Sequence, residues 1–444
     1  MQIYDISFLF IFLPLFFVCY YLLPESKRNG CLLAFSLLFY YLTNTASPWR
    51  LAVLVVLTLF IFLCSTVMER WKHRGVTLAF SLVVLTAVLV FFKLYAGGKL
   101  LPAGMSFYLF QMAAYVIDVY RRKILAEQSL VRFGAQITMF PKILSGPLME
   151  PLELRKQTWA RGYLATEFHS GLQYLILGLA MKVLLADRIG GLWAQVAVVG
   201  YDGISTGFAW LAILSFGLRL YLDFFGYSLM AMGMGRMMGF HLPRNFDNPY
   251  WSKSVAEFWR RWHQTLGLWF RNYIYIPLGG SRKGTLRTLL NLAVVWLFTG
   301  LWHGIGPGYL LWAGILLVLI ILEKLWLGKY LSKTRVLGRV YTVFFILVSW
   351  VPFAVSRPAD IATYLSKMFC LAGPSINPLD FLPWLKMFLP VLVPAIVCAT
   401  PLPEKIWHKL KNTLWGDILV FILFWLAVNG IATSSQDPFL YFQY

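Results

Sequence analysis

Long apolar stretches, separated by short polar or glycine-containing ones, recur along the whole chain. Most are close to the ~20 residues that an α-helix needs to cross the hydrocarbon core of a bilayer. The pattern predicts about 11 to 12 membrane spans. The predicted spans are Ile6–Leu23, Gly30–Leu42, Leu51–Met68, Gly75–Tyr95, Ala103–Tyr120, Phe168–Leu185, Phe208–Phe225, Leu289–Trp302, Tyr309–Leu327, Val340–Val355, Phe381–Val397 and Ile418–Val428.

Composition agrees with this pattern. The chain has 444 residues, of which 59% are hydrophobic and only 13% charged, whereas soluble domains have roughly 25% charged residues. No stretch resembles a soluble domain or a linker, so we expect an all-α polytopic membrane protein with one domain over residues 1–444. The first apolar stretch lacks the basic region and cleavage site of a signal peptide, and we expect it to remain as a span.

The net charge of +20 comes mainly from lysines and arginines in alternate loops. Such loops normally lie in the cytoplasm, so this arrangement predicts extracytoplasmic termini, including the tail 434–444. Nucleic-acid binding is not indicated, because there is no basic domain outside the spans. The predicted cytoplasmic basic groups are Lys27 and Arg28, Arg70 to Arg74, Arg121 to Lys123, Gly233–Arg287, Lys329–Arg339 and Glu404–Lys411.

Three further segments have a distinct pattern. Met139–Pro151 is apolar, but it is short and contains proline and glycine, which predicts a re-entrant or interfacial segment buried in protein. Arg219 and Asp223 stand four residues apart in one span and can pair on one helix face. The glycines of Ala231–Gly239 indicate close helix packing or a bend, since no βαβ context supports a dinucleotide fingerprint.

Ser254–Tyr273 has the pattern of a single amphipathic helix lying in the membrane interface. One face is basic and the other aromatic, and Glu257 can pair with Arg260 or Arg261. His263 falls among the apolar residues, so a buried structural histidine and a functional one are both open at this point.

His303 ends an apolar run without charged residues and precedes the sequence Gly304-Ile305-Gly306-Pro307-Gly308. Glycine and proline there free backbone groups that need a cavity or a protein partner. An imidazole in such a place is suited to proton transfer near neutral pH. A packing or helix-capping role is the alternative.

Other chemistries are not supported by motifs. The two histidines have no carboxylate at metal-ligand spacing, so we expect no metal. The sequence contains neither a Gly-x-Ser-x-Gly elbow nor a phosphate-binding loop. Five cysteines occur singly and indicate neither a disulfide framework nor a zinc site.

At this point the sequence resembles a known family, the membrane-bound O-acyltransferases, and in particular the bacterial branch that includes the alginate O-acetyltransferase membrane subunit. The strings FWRRWHQTLGLWFRNYIYIPLGG and TGLWHG, which contain the two histidines, carry this resemblance. GMSFYLFQMAAYVIDVYRRK, FPKILSGPLMEP and the final FLYFQY extend it almost from end to end. Lys142 and Ser145 depart from the usual family wording, which leaves donor and acceptor preference open.

The resemblance implies a helical bundle around a central tunnel, with the core motifs in residues 215–320, in a bacterial cytoplasmic (inner) membrane. It implies that His303 is the catalytic histidine and His263 the second functional histidine. The donor would be a cytoplasmic thioester such as acetyl-CoA, with no permanently bound cofactor. An extracytoplasmic partner protein and a glycan would receive the acetyl group. We further predict that Trp302, Arg260, Arg261, Asn245 and Tyr250 contact the tunnel or the donor.

Our mechanistic hypothesis makes His303 the general base, while His263 orients the donor or stabilises the oxyanion. Three alternatives stay open on the sequence. One is D-alanyl transfer from a carrier-protein thioester for teichoic-acid modification. The second is a transporter or channel, and the third is a scaffold of a polymer-export complex.

Overall fold

The computed structural model describes residues 1–95, 100–162, 164–331, 333–371 and 380–433. The C-terminal tail 434–444, which we predict to be extracytoplasmic, lies outside these residues. Over the described part the chain is helical. The α-helices are α1 Leu13–Leu22, α2 Glu25–Thr43, α3 Trp49–Arg70, α4 Arg74–Val90, α5 Met105–Tyr120, α6 Leu130–Thr138, α7 Phe140–Ile143, α8 Pro151–Trp159, α9 Ala165–Ala180, α10 Asp187–Val199, α11 Thr206–Met237, α12 Val255–Arg261, α13 Gln264–Phe270, α14 Thr285–His303, α15 Pro307–Leu322, α16 Gly328–Leu331, α17 Arg335–Ala354, α18 Pro358–Met368, α19 Phe381–Cys398, α20 Leu402–Leu410 and α21 Leu414–Thr433.

The predicted all-α polytopic membrane fold is confirmed. Eight helices in the described part of the chain are long and apolar enough to cross a bilayer, and Phe8–Leu22 is a shorter apolar helix. The eight are Trp49–Arg70, Arg74–Leu94, Thr206–Met237, Thr285–His303, Pro307–Leu331, Val336–Ala354, Phe381–Cys398 and Leu414–Thr433. The remaining predicted spans fall on shorter or more polar helices, so the count of about 11 to 12 stays a prediction.

One predicted span is considerably longer in the structure. The sequence pattern predicts Phe208–Phe225, but α11 extends to Met237 and has 32 residues. Because α11 is buried on nearly all sides, its helix continues into the glycine-rich stretch at 231–239 and ends there at Met237.

Glycines bring α11 and α9 into close contact. A Cβ atom at Gly233 would lie 2.4 Å from the Gly171 carbonyl oxygen, and one at Gly226 would lie 2.7 Å from that of Gly178. Small residues at these positions let two backbones approach as helices do in membranes. The predicted close packing around Gly233 is therefore confirmed.

A buried ion cluster joins the same two helices. Lys182, which follows α9, lies 2.9 Å from the Asp223 carboxylate and 2.5 Å from that of Asp187. Buried charges in a membrane are stable only when they are paired. Lys182, which the sequence analysis does not single out, is thus one partner of Asp223.

The Met139–Pro151 segment is largely buried in protein, as predicted, whereas its re-entrant or interfacial position in the membrane stays a prediction. Only α7, with four residues, is helical there. Its backbone is held by neighbouring helices: Phe140 N donates to Ser36 Oγ at 3.0 Å, and Tyr227 Oη donates to the Pro141 carbonyl at 3.2 Å. Gly104, with φ of +70°, lets the start of α5 pack directly on Ile143 and Leu144.

Adding one methyl group at the α9–α11 contact tests this packing. Gly233→Ala is expected to destabilise the protein by about 1–3 kcal/mol, because neither backbone has room to move. Thermal unfolding in detergent, followed by tryptophan fluorescence, measures the effect. Gly314→Ala on α15 is the matched control, because no atom lies within 4 Å of its Cβ position. Equal midpoints for the two variants would contradict the packing account.

Candidate active site

The chain breaks at His263. The sequence analysis predicts one helix over Ser254–Tyr273, and this is wrong, because α12 ends at Arg261 and α13 begins at Gln264. His263 lies between them with φ of +43°, a left-handed conformation that is uncommon for residues other than glycine. Such backbone conformations persist only where the surroundings impose them, and they cluster at functional sites.

Asn245 imposes the break. Its backbone carbonyl accepts a hydrogen bond from Gln264 N at 2.8 Å, at the first residue of α13. Its side-chain Oδ1 lies 3.2 Å from His263 Nδ1 and 2.6 Å from Thr265 Oγ1. Asn245 is completely buried. The Asn245 backbone carbonyl thus replaces one helical hydrogen bond that the break removes, while its side chain holds the side chains of His263 and Thr265.

The surrounding hydrogen bonds define the protonation of the His263 ring. Leu148 N donates to Thr265 Oγ1 at 3.1 Å, so the hydroxyl of Thr265 donates onward to Asn245 Oδ1. Asn245 Nδ2 donates to Ser228 Oγ at 3.0 Å, which fixes the orientation of the amide. Oδ1 is therefore an acceptor, and His263 donates to it from Nδ1. In the neutral ring Nε2 then carries the lone pair.

Carboxylates hold the start of α12. Val255 N and Ala256 N donate to the Glu323 carboxylate at 2.6 and 2.8 Å, so Glu323 satisfies backbone groups that have no partner within the helix. Ser254 Oγ caps the helix by accepting from Glu257 N at 3.1 Å. Glu257 in turn pairs with Arg261 at 2.7 Å, which confirms one of the two pairings predicted for it.

His303 is the last residue of α14, as the sequence pattern predicts, and Gly304 caps the helix. Its ring is buried among aromatic side chains, with centroid distances of 5.1 Å to Trp312 and 5.0 Å to Phe353. A Cβ at Gly304 would lie 2.7 Å from the Tyr309 ring, so glycine is required for the chain to turn here. The aromatic surroundings restrict the imidazole to one position.

Both histidines line one cavity of about 1060 Å³. Trp302 and Arg260, which the sequence analysis predicts as tunnel or donor contacts, line it as well. The Phe107 ring bridges the two histidine segments, at 6.0 Å from His263 and 6.2 Å from Trp302. Four basic side chains also line the cavity: Lys253, Arg260, Arg271 and Lys324. The cavity thus combines two imidazoles, an apolar wall, four cationic side chains and the carboxylates of Glu257 and Glu323.

The other predicted site residues have different positions. Arg261 is not among the residues that line this cavity, although its partner Glu257 is. Asn245 is not among the residues that line the cavity, and it contacts the His263 ring through a hydrogen bond. Tyr250 donates to the Gly217 carbonyl at 2.9 Å and packs against Phe258 and Trp262. Direct contact of these three residues with a substrate stays a prediction.

Sequence reasoning missed several residues of the site. Glu323 was treated only as part of a span, although an ionisable residue within a span is itself a signal of function. Lys93 was treated as a loop charge, but its ammonium group donates to the Trp302 carbonyl, next to His303. Thr265 and Ser228 carry no signal in the sequence, because they join the site only through Asn245.

Fold and site together define a polytopic helical membrane protein with a histidine-lined internal cavity. A model of the membrane-bound O-acyltransferase family matches residues 37–357. The chain is 31% identical to the "probable alginate O-acetylase" of Pseudomonas putida, over 98% of this chain and 99% of that protein. It is 27% identical to the peptidoglycan O-acetyltransferase of Helicobacter pylori, over 83% of this chain and 80% of that protein.

A teichoic acid D-alanyltransferase of Bacillus subtilis is more distant, with 25% identity over 55% of this chain and 66% of that protein. The family match covers most of the chain, and the first two relatives are similar over most of their length. The chain therefore belongs to the membrane-bound O-acyltransferase family. It is a multi-pass membrane O-acyltransferase.

The Asn245 hydrogen bonds can be tested directly. Asn245→Ala leaves the His263 and Thr265 donors without their acceptor, and we expect a loss of about 1–3 kcal/mol in unfolding free energy. Acyl transfer should fall by about 100-fold, since the histidine loses its fixed orientation. Thermal unfolding and turnover are measured side by side with Asn429→Ala, at an exposed position on α21. Wild-type-like turnover in Asn245→Ala would show that the network does not position His263.

Proposed function

We propose that this protein moves an acetyl group from cytoplasmic acetyl-CoA to a hydroxyl group, for O-acetylation of an extracytoplasmic polysaccharide through a partner protein. The observation that carries the proposal is the single cavity that joins both histidines to a basic rim. Coenzyme A has a polyanionic end and a long narrow arm that ends in the thioester. A basic rim attracts such an anion, while an apolar wall suits the arm.

The relatives support the acyl group and the type of acceptor. Two of them are named for O-acetyl transfer to alginate and to peptidoglycan, and both acceptors are bacterial glycans. The predicted orientation places the basic region 233–287 in the cytoplasm, where a CoA thioester is made.

In the proposed reaction His303 is the general base. A ring nitrogen of His303 takes the proton from the acceptor hydroxyl, and the hydroxyl oxygen forms a bond to the thioester carbonyl carbon. The carbon–sulfur bond then breaks, and the leaving CoA thiolate takes the proton from the imidazolium. The protein's part is to hold the reacting groups together and to supply a base of suitable strength.

The His263 tautomer refines its proposed role. With Nδ1–H bonded to Asn245, a neutral His263 offers a lone pair at Nε2 and no second N–H. It is therefore suited to accept a hydrogen bond from an amide N–H of the donor's arm. Of the two roles that the sequence analysis considers, orientation of the donor is favoured over stabilisation of the oxyanion.

Removal of the His303 imidazole tests the proposed base. Purified protein in nanodiscs receives acetyl-CoA, and release of free CoA is followed for the wild type and His303→Ala. We expect a loss of at least about 1,000-fold, because both proton transfers need this ring. His73→Ala, exposed and outside the cavity, serves as the control and should retain turnover. Equal turnover in His303→Ala and the wild type would refute the assignment.

A carrier-protein thioester offered in the same assay identifies the donor. Consumption of a D-alanyl carrier thioester, with no consumption of acetyl-CoA, would replace the acetyl proposal by D-alanyl transfer. A transporter or scaffold would consume neither thioester. Turnover of acetyl-CoA that depends on His303 is the result that we expect.

The basic rim gives a separate test, with two neighbouring arginines as a matched pair. Arg260 lines the cavity and Arg261 does not. Arg260→Gln is expected to raise KM for acetyl-CoA about tenfold with little change in kcat, because it removes binding energy that the bound donor and the transition state share. Arg261→Gln should change KM less than about twofold, as surface ion pairs contribute little. A larger effect of Arg261→Gln would mean that the donor binds on the other side of α12.

A further inference from the structure

A C-terminal helix reaches the segment that holds His263. α20 carries Glu404, whose carboxylate accepts two hydrogen bonds from the Arg244 guanidinium, both at 2.8 Å. The same carboxylate accepts from Asn248 Nδ2 at 3.1 Å. Two-pronged pairing of this kind fixes geometry as well as adding energy. Hydrogen bonds from Arg244 lower the pKa of Glu404, which keeps it ionised near neutral pH.

The two residues that hydrogen-bond to Glu404, Arg244 and Asn248, flank Asn245. Arg244 precedes it directly, and Asn248 follows it by three positions with a left-handed φ of +46°. A non-glycine residue in that conformation requires external support, and the Glu404 carboxylate supplies a hydrogen bond to it. Asp247 N also donates to the Arg261 carbonyl at 3.0 Å, so the segment 244–248 is bonded to the end of α12.

These contacts form a continuous path to the imidazole. Glu404 holds Arg244 and Asn248, these two residues fix the segment that presents Asn245, and Asn245 bonds both His263 and the first backbone N–H of α13. Glu404 itself is not among the residues that line the cavity. Any effect of Glu404 on the reaction must therefore pass through the 244–248 segment.

We propose that Glu404 is a positioning residue for His263, so that α20, outside the stretch 37–357 that the family model matches, is needed to complete the site. The activity readout rests on the proposed function, whereas the structural readout does not. The relevant charged neighbours of Glu404 are Arg244, Asp247, which lies 3.9 Å from Arg244, and His408, 4.0 Å from Glu404.

Hydrogen–deuterium exchange tests whether Glu404 orders the 244–248 segment, without any assumption about the acyl donor. In Glu404→Gln, peptides that contain Asp247 N–H and Gln264 N–H should exchange at least about tenfold faster than in the wild type. The matched control is Asp360→Asn. It removes another partly exposed ion pair, the one between Asp360 on α18 and Arg357. Unchanged exchange at both amides in Glu404→Gln would overturn the proposal.

A double-mutant cycle, in which acetyl-CoA turnover is measured, then tests whether Glu404 acts through His263. Glu404→Gln should lower kcat about tenfold in the wild-type background, and less than twofold in a His263→Asn background, because the residue to be positioned is already gone. KM for acetyl-CoA should rise about threefold in the wild-type background, where His263 loses its contact with the donor, and less than about twofold in the His263→Asn background. The charge-exchanged protein with Glu404→Arg and Arg244→Glu should recover part of the lost kcat.

The outcomes separate the two claims. An equal loss of kcat in both backgrounds would mean that Glu404 does not act through His263, and the positioning role would be overturned. Wild-type protein that does not consume acetyl-CoA would contradict the proposed function, while the exchange experiment would still decide whether Glu404 orders the 244–248 segment. Faster exchange together with background-dependent kcat is the result that supports both.

Discussion

The site depends on the hydrogen bonds that Asn245 makes at the break between α12 and α13, where His263 lies. Within a membrane protein, backbone groups freed at a helix break need partners inside the protein, since lipid offers none. Asn245 supplies an acceptor from its backbone to Gln264 and another from its side chain to His263 and Thr265. The backbone carbonyl satisfies a group freed by the break, and the side chain of the same residue fixes the ring tautomer. Stability and catalytic orientation therefore share one set of hydrogen bonds.

Rigid packing around the break supports this arrangement. Glycine contacts bring α9 and α11 together on one side of the site. On the other side, α12 is held by the Glu323 carboxylate, and rings from α14, α15 and α17 surround His303. Active-site side chains work best when their supporting residues are themselves fixed. His263 and His303 are 40 positions apart in sequence. They line one cavity because these three sets of contacts hold the surrounding helices in place.

The sequence predicts the helical membrane fold and singles out His303, because both carry local signals. Apolar length marks the spans, and the Gly/Pro break after His303 marks the end of α14. The break at His263 could not be predicted in this way, since the amphipathic pattern continues across it and its cause, Asn245, lies 18 residues earlier. Likewise, Glu404 looks like an ordinary loop residue, and Lys182, although charged within a predicted span, has no recognisable partner in the sequence until the fold places Arg244 and Asp223 beside them. Local patterns reveal helices and chemically unusual residues, whereas long-range hydrogen bonds become visible only in the fold.

The central claim is that the cavity lined by His263 and His303 is the donor site. Cryo-electron microscopy of the protein with a non-hydrolysable acetyl-CoA analogue tests it most directly. The account predicts the phosphates beside Lys253, Arg260 and Lys324, and the sulfur-equivalent atom between the two histidines. An analogue bound outside this cavity, or with its phosphates away from the basic rim, would contradict the account.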